Sequence, residues 1–119
     1  MSKTIIAGGR NITDYNYVIE ACKQSHFVIT EVVSGMAKGV DTLGEQWARE
    51  HNIPIKQFPA NWDKYGRRAG PIRNEEMGDY SECLIAIWDG KSRGTKHMID
   101  YATKKGLKIY IYKIYLRNG

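Results

Sequence analysis

The sequence has little cysteine and little proline: two of the first and three of the second in 119 residues. Cys22 and Cys83 stand far apart and lack any CxxC or Cys/His ligand spacing. They read as buried free thiols, which argues against a disulfide framework or a zinc site. No apolar run approaches the roughly 20 residues of a membrane span, and the N-terminus lacks a charged-then-apolar leader, so the cytoplasm is the expected location. Internal repeats, low-complexity stretches and linker-like segments are also missing. With 42% hydrophobic and 26% charged residues the composition is that of an ordinary globular chain, and the length suits one domain around one core.

Positive charge is what the sequence has in excess. A formal net charge of +5 suits an anionic partner without choosing among nucleic acid, free nucleotide and mere solubility. Arg67, Arg68 and Arg73 fall in a glycine-bearing stretch before a predicted helix, where they suit phosphate oxygens. Lys104, Lys105, Lys108 and Lys113 read as a solvated face.

The apolar pattern predicts alternating strands and helices. Strands are expected over 4–7, about 27–33, 53–58, 83–88 and 107–116. Helices are expected from a Thr13 or Asp14 cap to about 25, from 39 or 40 to about 51, over 72–80, and over 95–105 with Gly106 as a stop. A long polar loop is expected over 59–71. Leu84-Ile85-Ala86-Ile87 is continuously apolar, as a central strand of a parallel sheet requires. The fold class that follows is α/β: a Rossmann-like, doubly wound, mostly parallel five-stranded sheet in a single domain.

Such sheets bind ligands beyond the carboxyl ends of their strands, where strand order reverses. Four segments rich in glycine and polar residues fall on that edge. Gly8-Gly9-Arg10 ends the first strand. Ser34-Gly35-Met36-Ala37-Lys38-Gly39-Val40-Asp41 offers small corners, a lysine and a helix N-terminus that suit phosphate, with Asp41 either holding a ribose hydroxyl or capping the helix. The run from Trp62 to Asn74 brings the three arginines, with Trp62 and Tyr65 available to stack on a base. Trp88-Asp89-Gly90-Lys91-Ser92-Arg93-Gly94-Thr95 ends at another helix start, with His97 on its first turn. Gly90-Lys91-Ser92 is not a Walker A loop, because Ile85 stands where that motif needs glycine, and Gly8-Gly9-Arg10 does not extend to GxGxxG. The candidate ligand-binding residues are therefore Gly8, Gly9, Arg10, Ser34, Gly35, Lys38, Gly39, Asp41, Arg67, Arg68, Arg73, Asn74, Asp89, Gly90, Ser92, Gly94, Thr95 and His97. No catalytic residue, metal ligand or cofactor is assigned.

Together these segments resemble the SLOG superfamily of Rossmann-like nucleotide-binding proteins, and within it the small YspA-type, YpsA-related proteins of bacteria and phages. Ser34 to Asp41 is similar to the SGxARGxD stretch shared with the DNA-processing protein A family. The resemblance implies a nucleotide or ADP-ribose-type ligand, cyclic ADP-ribose included, a homo-oligomer, and, for a phage-encoded chain, the host cytoplasm. It also exposes a departure: the Lonely Guy phosphoribohydrolases carry PGGxGTxxE, and here Gly94-Thr95 aligns with its GT while Met98 takes the place of the glutamate. Three functions follow in order of preference. The first is a sensor or sequestering protein for a nucleotide-derived ligand. The second is a hydrolase of a nucleotide N-glycosidic or phosphate bond, using Glu45, Glu75 or Asp89. The third is single-stranded DNA binding. The strand from Lys108 to Leu116, with its large apolar groups, is expected to support a subunit interface.

Overall fold

In the computed structural model, which describes residues 2–115, short β-branched runs alternate with helices along the whole chain. The elements are β1 (Ser2–Gly8), α1 (Tyr15–Ser25), β2 (Ile29–Ser34), α2 (Val40–Glu50), β3 (Ile55–Gln57), α3 (Trp62–Tyr65), a 3-10 turn (Gly66–Arg68), α4 (Ala69–Tyr80), β4 (Cys83–Trp88), α5 (Arg93–Lys105) and β5 (Lys108–Lys113). The five strands form one sheet in the order β3-β2-β1-β4-β5, and every pairing is parallel.

Alternation along the strands divides the core into two layers. Ile6, Val32, Ile85 and Ile87 face Val18, Ala21 and Cys22 of α1 and Val40 and Ala48 of α2. Ile5, Ala7, Val33, Leu84 and Ala86 face Met77 of α4 and Met98 and Ala102 of α5. The central strands β1 and β4 are apolar on both faces because helices cover both. Both cysteines are free and buried, and burial pushes the Cys22 thiol up to about 12.

The boundaries differ from expectation in instructive ways. Asp14, not Thr13, caps α1 by accepting from the Asn16 N–H, and Ile19 lies largely outside the apolar face, being 38% exposed. The expected loop over 59–71 contains α3 and the 3-10 turn, and α4 has already begun at Ala69. Pro71 therefore sits within the first turn of a helix, where its missing N–H costs nothing because that turn has no intrahelical acceptor for it. β3 is reduced to three residues at the sheet edge, with Pro54 just outside it and its carbonyl accepting from the Val32 N–H. β5 ends at Lys113, and Leu116 lies outside the described residues.

Candidate functional site

Strand order reverses between β1 and β4, whose chains leave the sheet in opposite directions and open a crevice above their carboxyl ends. A cavity of about 760 Å³ occupies this place, within the size range of small-molecule sites. Its floor is Ala7 and Gly8 from β1, Gly9 just beyond it, and Met77 and Met98 from α4 and α5. Arg10, Arg73, Lys91 and Arg93 bring positive charge to its rim, against the carboxylates of Asp41 and Asp89.

Three loops build the walls. The β1–α1 and β2–α2 loops meet backbone to backbone: the Val40 N–H donates to the Gly9 carbonyl at 3.3 Å. A Cβ at Gly39 would lie 2.6 Å from the Arg10 carbonyl oxygen, and its φ of 78° already disfavours any side chain. Gly35 lies equally close to its neighbours, since a Cβ there would sit 2.8 Å from both Arg73 Nη1 and Asp41 Oδ2. Ser34 turns into the protein, donating to Glu45 Oε2 at 2.6 Å and accepting from the Met36 N–H.

Asp41 is a residue of the first turn of α2 rather than its cap. Its Oδ2 accepts the Ala37 N–H at 3.2 Å and bends the loop back on itself. Burial pushes its carboxyl up to about 6, against the opposing pull of that N–H and of the Arg73 guanidinium. Arg73 reaches across from α4. Its Nε donates to Asn74 Oδ1 at 3.1 Å and its Nη1 to the Gly35 carbonyl. Burial and the nearby Arg10 both lower its affinity for its proton, while Asp41 raises it. Asn74 is buried and donates to the Gly94 carbonyl, and its Nδ2 lies 3.2 Å from His97 Nδ1. Arg73 and Asn74 thus tie α4 to the loop before α2 on one side and to α5 on the other.

The third wall is the β4–α5 loop. Asp89 Oδ1 accepts the N–H groups of Lys91 and Ser92 at 2.8 and 2.9 Å, which holds its carboxyl below the usual range. Gly90 supplies the positive φ of 81° that this turn requires. Ser92 caps α5 through the Thr95 N–H, and its carbonyl takes the Lys96 N–H. Of the four N–H groups that begin α5 without an intrahelical partner, Asp89 takes that of Ser92 and the Ser92 side chain that of Thr95; the other two belong to Arg93 and Gly94, which line the cavity. A Cβ at Gly94 would meet nothing within 4 Å.

Of the residues expected from sequence, the cavity brings together Gly8, Gly9, Arg10, Asp41, Arg73, Asn74, Asp89, Ser92, Gly94, Thr95 and His97. Gly35 and Lys38 line an adjoining cavity of about 420 Å³. Ser34, Gly39 and Gly90 shape the loops from behind. Arg67 and Arg68 reach neither cavity, because the 3-10 turn carries them out to solvent. Trp62 lines both cavities and Tyr65 neither. Sequence reasoning missed Asn11, Gly70, Lys91 and Arg93 as lining residues, although all but Gly70 adjoin one that it singled out. It also missed Met77, whose only signal was an apolar residue one turn beyond Arg73.

Glu45 hydrogen-bonds Ser34 and Gln57 outside the main cavity, and Glu75 lies 3.8 Å from His97 Nε2. Of the three acids considered for hydrolysis, only Asp89 lines the cavity. Among the described residues, no group of three or more His, Cys, Asp or Glu side chains is placed to hold a metal ion.

Residues 2–65 match the YspA, cpYpsA-related SLOG family. The chain belongs to that family. This SLOG chain is 28% identical over 119 residues to the Gene 61 protein of Mycobacterium phage D29, covering 92% of itself and 94% of that protein. It is 37% identical over 131 residues to an uncharacterized SPbeta prophage-derived protein, YoqJ, of Bacillus subtilis, covering 92% of itself and 75% of the relative. The X-ray structure of DNA processing protein A (DprA) from Streptococcus pneumoniae shares its fold with a TM-score of 0.75 at 16% identity. That likeness covers 92% of the SLOG chain and 49% of the DprA chain, about half its length. The family match ends at Tyr65, so Arg73, Asn74 and the β4–α5 loop are contributed to the site by the part of the chain beyond it. No helix among the described residues is long and apolar enough to cross a membrane.

Proposed function

We propose that this SLOG chain binds a nucleotide-derived ligand of the nucleotide, ADP-ribose or cyclic ADP-ribose type in the crevice above β1 and β4, as a sensor or sequestering protein. The observation that carries this reading is the convergence of Arg10, Arg73, Arg93 and the N-terminus of α5 on one cavity at the strand-order reversal. Arg10 and Arg73 are the charge partners for the phosphates, with the N–H groups of Arg93 and Gly94 on the same cavity as further donors. Asp89 and Asp41 are acceptors for sugar hydroxyls, and Trp62 gives a flat wall for a base. Binding without turnover is favoured because the glutamate position of the phosphoribohydrolase motif is Met98, which is buried in the cavity floor and has no proton to move. Self-association through the edge strand β5, where Ile111 is 41% exposed, completes the reading.

The test is native mass spectrometry of the purified chain with a panel of nucleotides and ADP-ribose derivatives. The expected result is an added mass released intact on denaturation, a subunit count above one, and at least about a tenfold loss of affinity in Arg10→Ala. A smaller product would make the protein a hydrolase. No adduct, with binding of single-stranded DNA that falls steeply as salt rises, would transfer the site to nucleic acid.

A further inference from the structure

The cavity of about 420 Å³ beside the main one is not an isolated hollow. Arg10, Ala37, Trp62 and Arg73 line both, so these four residues form a common boundary across which one ligand can lie. Two of the four are arginines, and Arg10 opposes the charge of Arg73 while Asp41 offsets it. An anion on the boundary relieves that opposition.

The second chamber is built from Met36, Lys38, Pro59 and Ala60, with the half-exposed Trp62 shared. Met36 has a φ of 64°, a left-handed backbone that a non-glycine residue seldom adopts, and the Ser34 hydroxyl accepts its N–H to hold the turn. The result is that a methionine is presented at the chamber, 47% exposed, where an apolar side chain would otherwise be buried. Methionine and tryptophan offer polarizable, flat-accommodating surface suited to an aromatic ring.

We infer that the second chamber is a subsite for a second ring, so that the ligand class is two nucleosides joined through a diphosphate, with the diphosphate at Arg10 and Arg73. This rests on the nucleotide reading above and narrows it. Two adjacent cations match a diphosphate better than the single charge of one phosphodiester, which favours a small molecule over a nucleic-acid step.

Calorimetric titration of the full chain with ADP, ADP-ribose and diadenosine diphosphate tests the assignment. Diadenosine diphosphate is expected to bind about tenfold more tightly than ADP, with ADP-ribose between them. Ala60→Phe, which fills the chamber, is expected to collapse that ratio to near one. Met36→Gly, whose backbone accepts the same φ, reads the loss of the platform should the bulkier variant fail to fold. Equal binding of ADP and diadenosine diphosphate, or a ratio untouched by both variants, would overturn the subsite while leaving the nucleotide reading intact. ADP-ribose binding as tightly as diadenosine diphosphate would overturn the second ring. Tighter binding of adenylyl-adenosine, which has one phosphodiester, would overturn the diphosphate. No binding of any probe would overturn both readings.

Discussion

Gly8 and Gly39, on the β1 and β2 side of the crevice, and Gly70 and Gly94, on the α4 and α5 side, look alike in sequence and do different work. A Cβ at Gly8 would lie 2.7 Å from Val40 Cγ2, and one at Gly39 would strike the backbone of the neighbouring loop. A Cβ at Gly70 would find its nearest neighbour, the Trp62 ring, at 3.6 Å, and one at Gly94 would find only open space. The first pair is required by the protein's own packing, whether or not a ligand binds. The second pair lines the cavity with no such requirement, so their missing side chains keep the wall open where the proposed ligand would approach. A glycine-rich segment beside a helix is thus weak support for a phosphate site until its surroundings are known.

The comparison breaks most readily at Gly39. Gly39→Ala imposes both a forbidden backbone conformation and a backbone clash, and is expected to cost about 3 kcal/mol or more, lowering the melting temperature by at least about 10 °C. Thermal unfolding that matched the parent chain would show that the two loops are not locked together as described.

Asp41, between the two sides, gives the next largest effect. Its carboxyl titrates at about 6 in the folded chain against 3.8 for the free group. Between those values the folded state holds more protons than the unfolded one, so this group's contribution to stability falls as pH rises from about 4 to about 6. The span caps the effect at about 3 kcal/mol. Asp41→Asn does not titrate, so its stability relative to the parent is expected to improve by about 1 to 2 kcal/mol between pH 4 and pH 7.5. Urea unfolding of both chains at the two pH values checks it; parallel curves would mean that Asp41 is not desolvated.

Gly94→Ala sharpens the comparison with the smallest shift in stability. Alanine in the first turn of α5 is expected to leave the fold unchanged or add up to about 1 kcal/mol, while the methyl group projects into the cavity and weakens ligand binding. A melt and a titration on the same sample separate the two effects. Unchanged affinity would place the ligand away from the start of α5.

Much of the fold was legible because its signal is local. The runs Ile5–Ala7 and Leu84–Ile87 are apolar without a break, as strands covered on both faces must be, and Asp14 and Gly106 punctuate their helices by side-chain capping and a left-handed turn. The segment around the start of α4 was not legible, because Gly66, Arg67, Arg68 and Pro71 all carry loop signals, while Ala69 at the start of α4 is buried in the fold. The site divides in the same way. Arg10, Asp89 and Ser92 stand at strand ends, where local pattern finds them, whereas Arg67 and Arg68 share the composition of Arg73 and differ from it only by where a 3-10 turn carries them.

The sequence by itself determined the alternation of strands and helices, the family and the edge of the sheet where polar loops gather, since each depends on the order of residues within a few turns of chain. Tertiary structure alone decided which glycines serve packing and which face the cavity, that Arg73 and not Arg67 or Arg68 joins Asp41, and that a second chamber shares two arginines with the first. Those outcomes are distances between segments more than 20 residues apart, set by how helices seat on the sheet, and no local pattern encodes them.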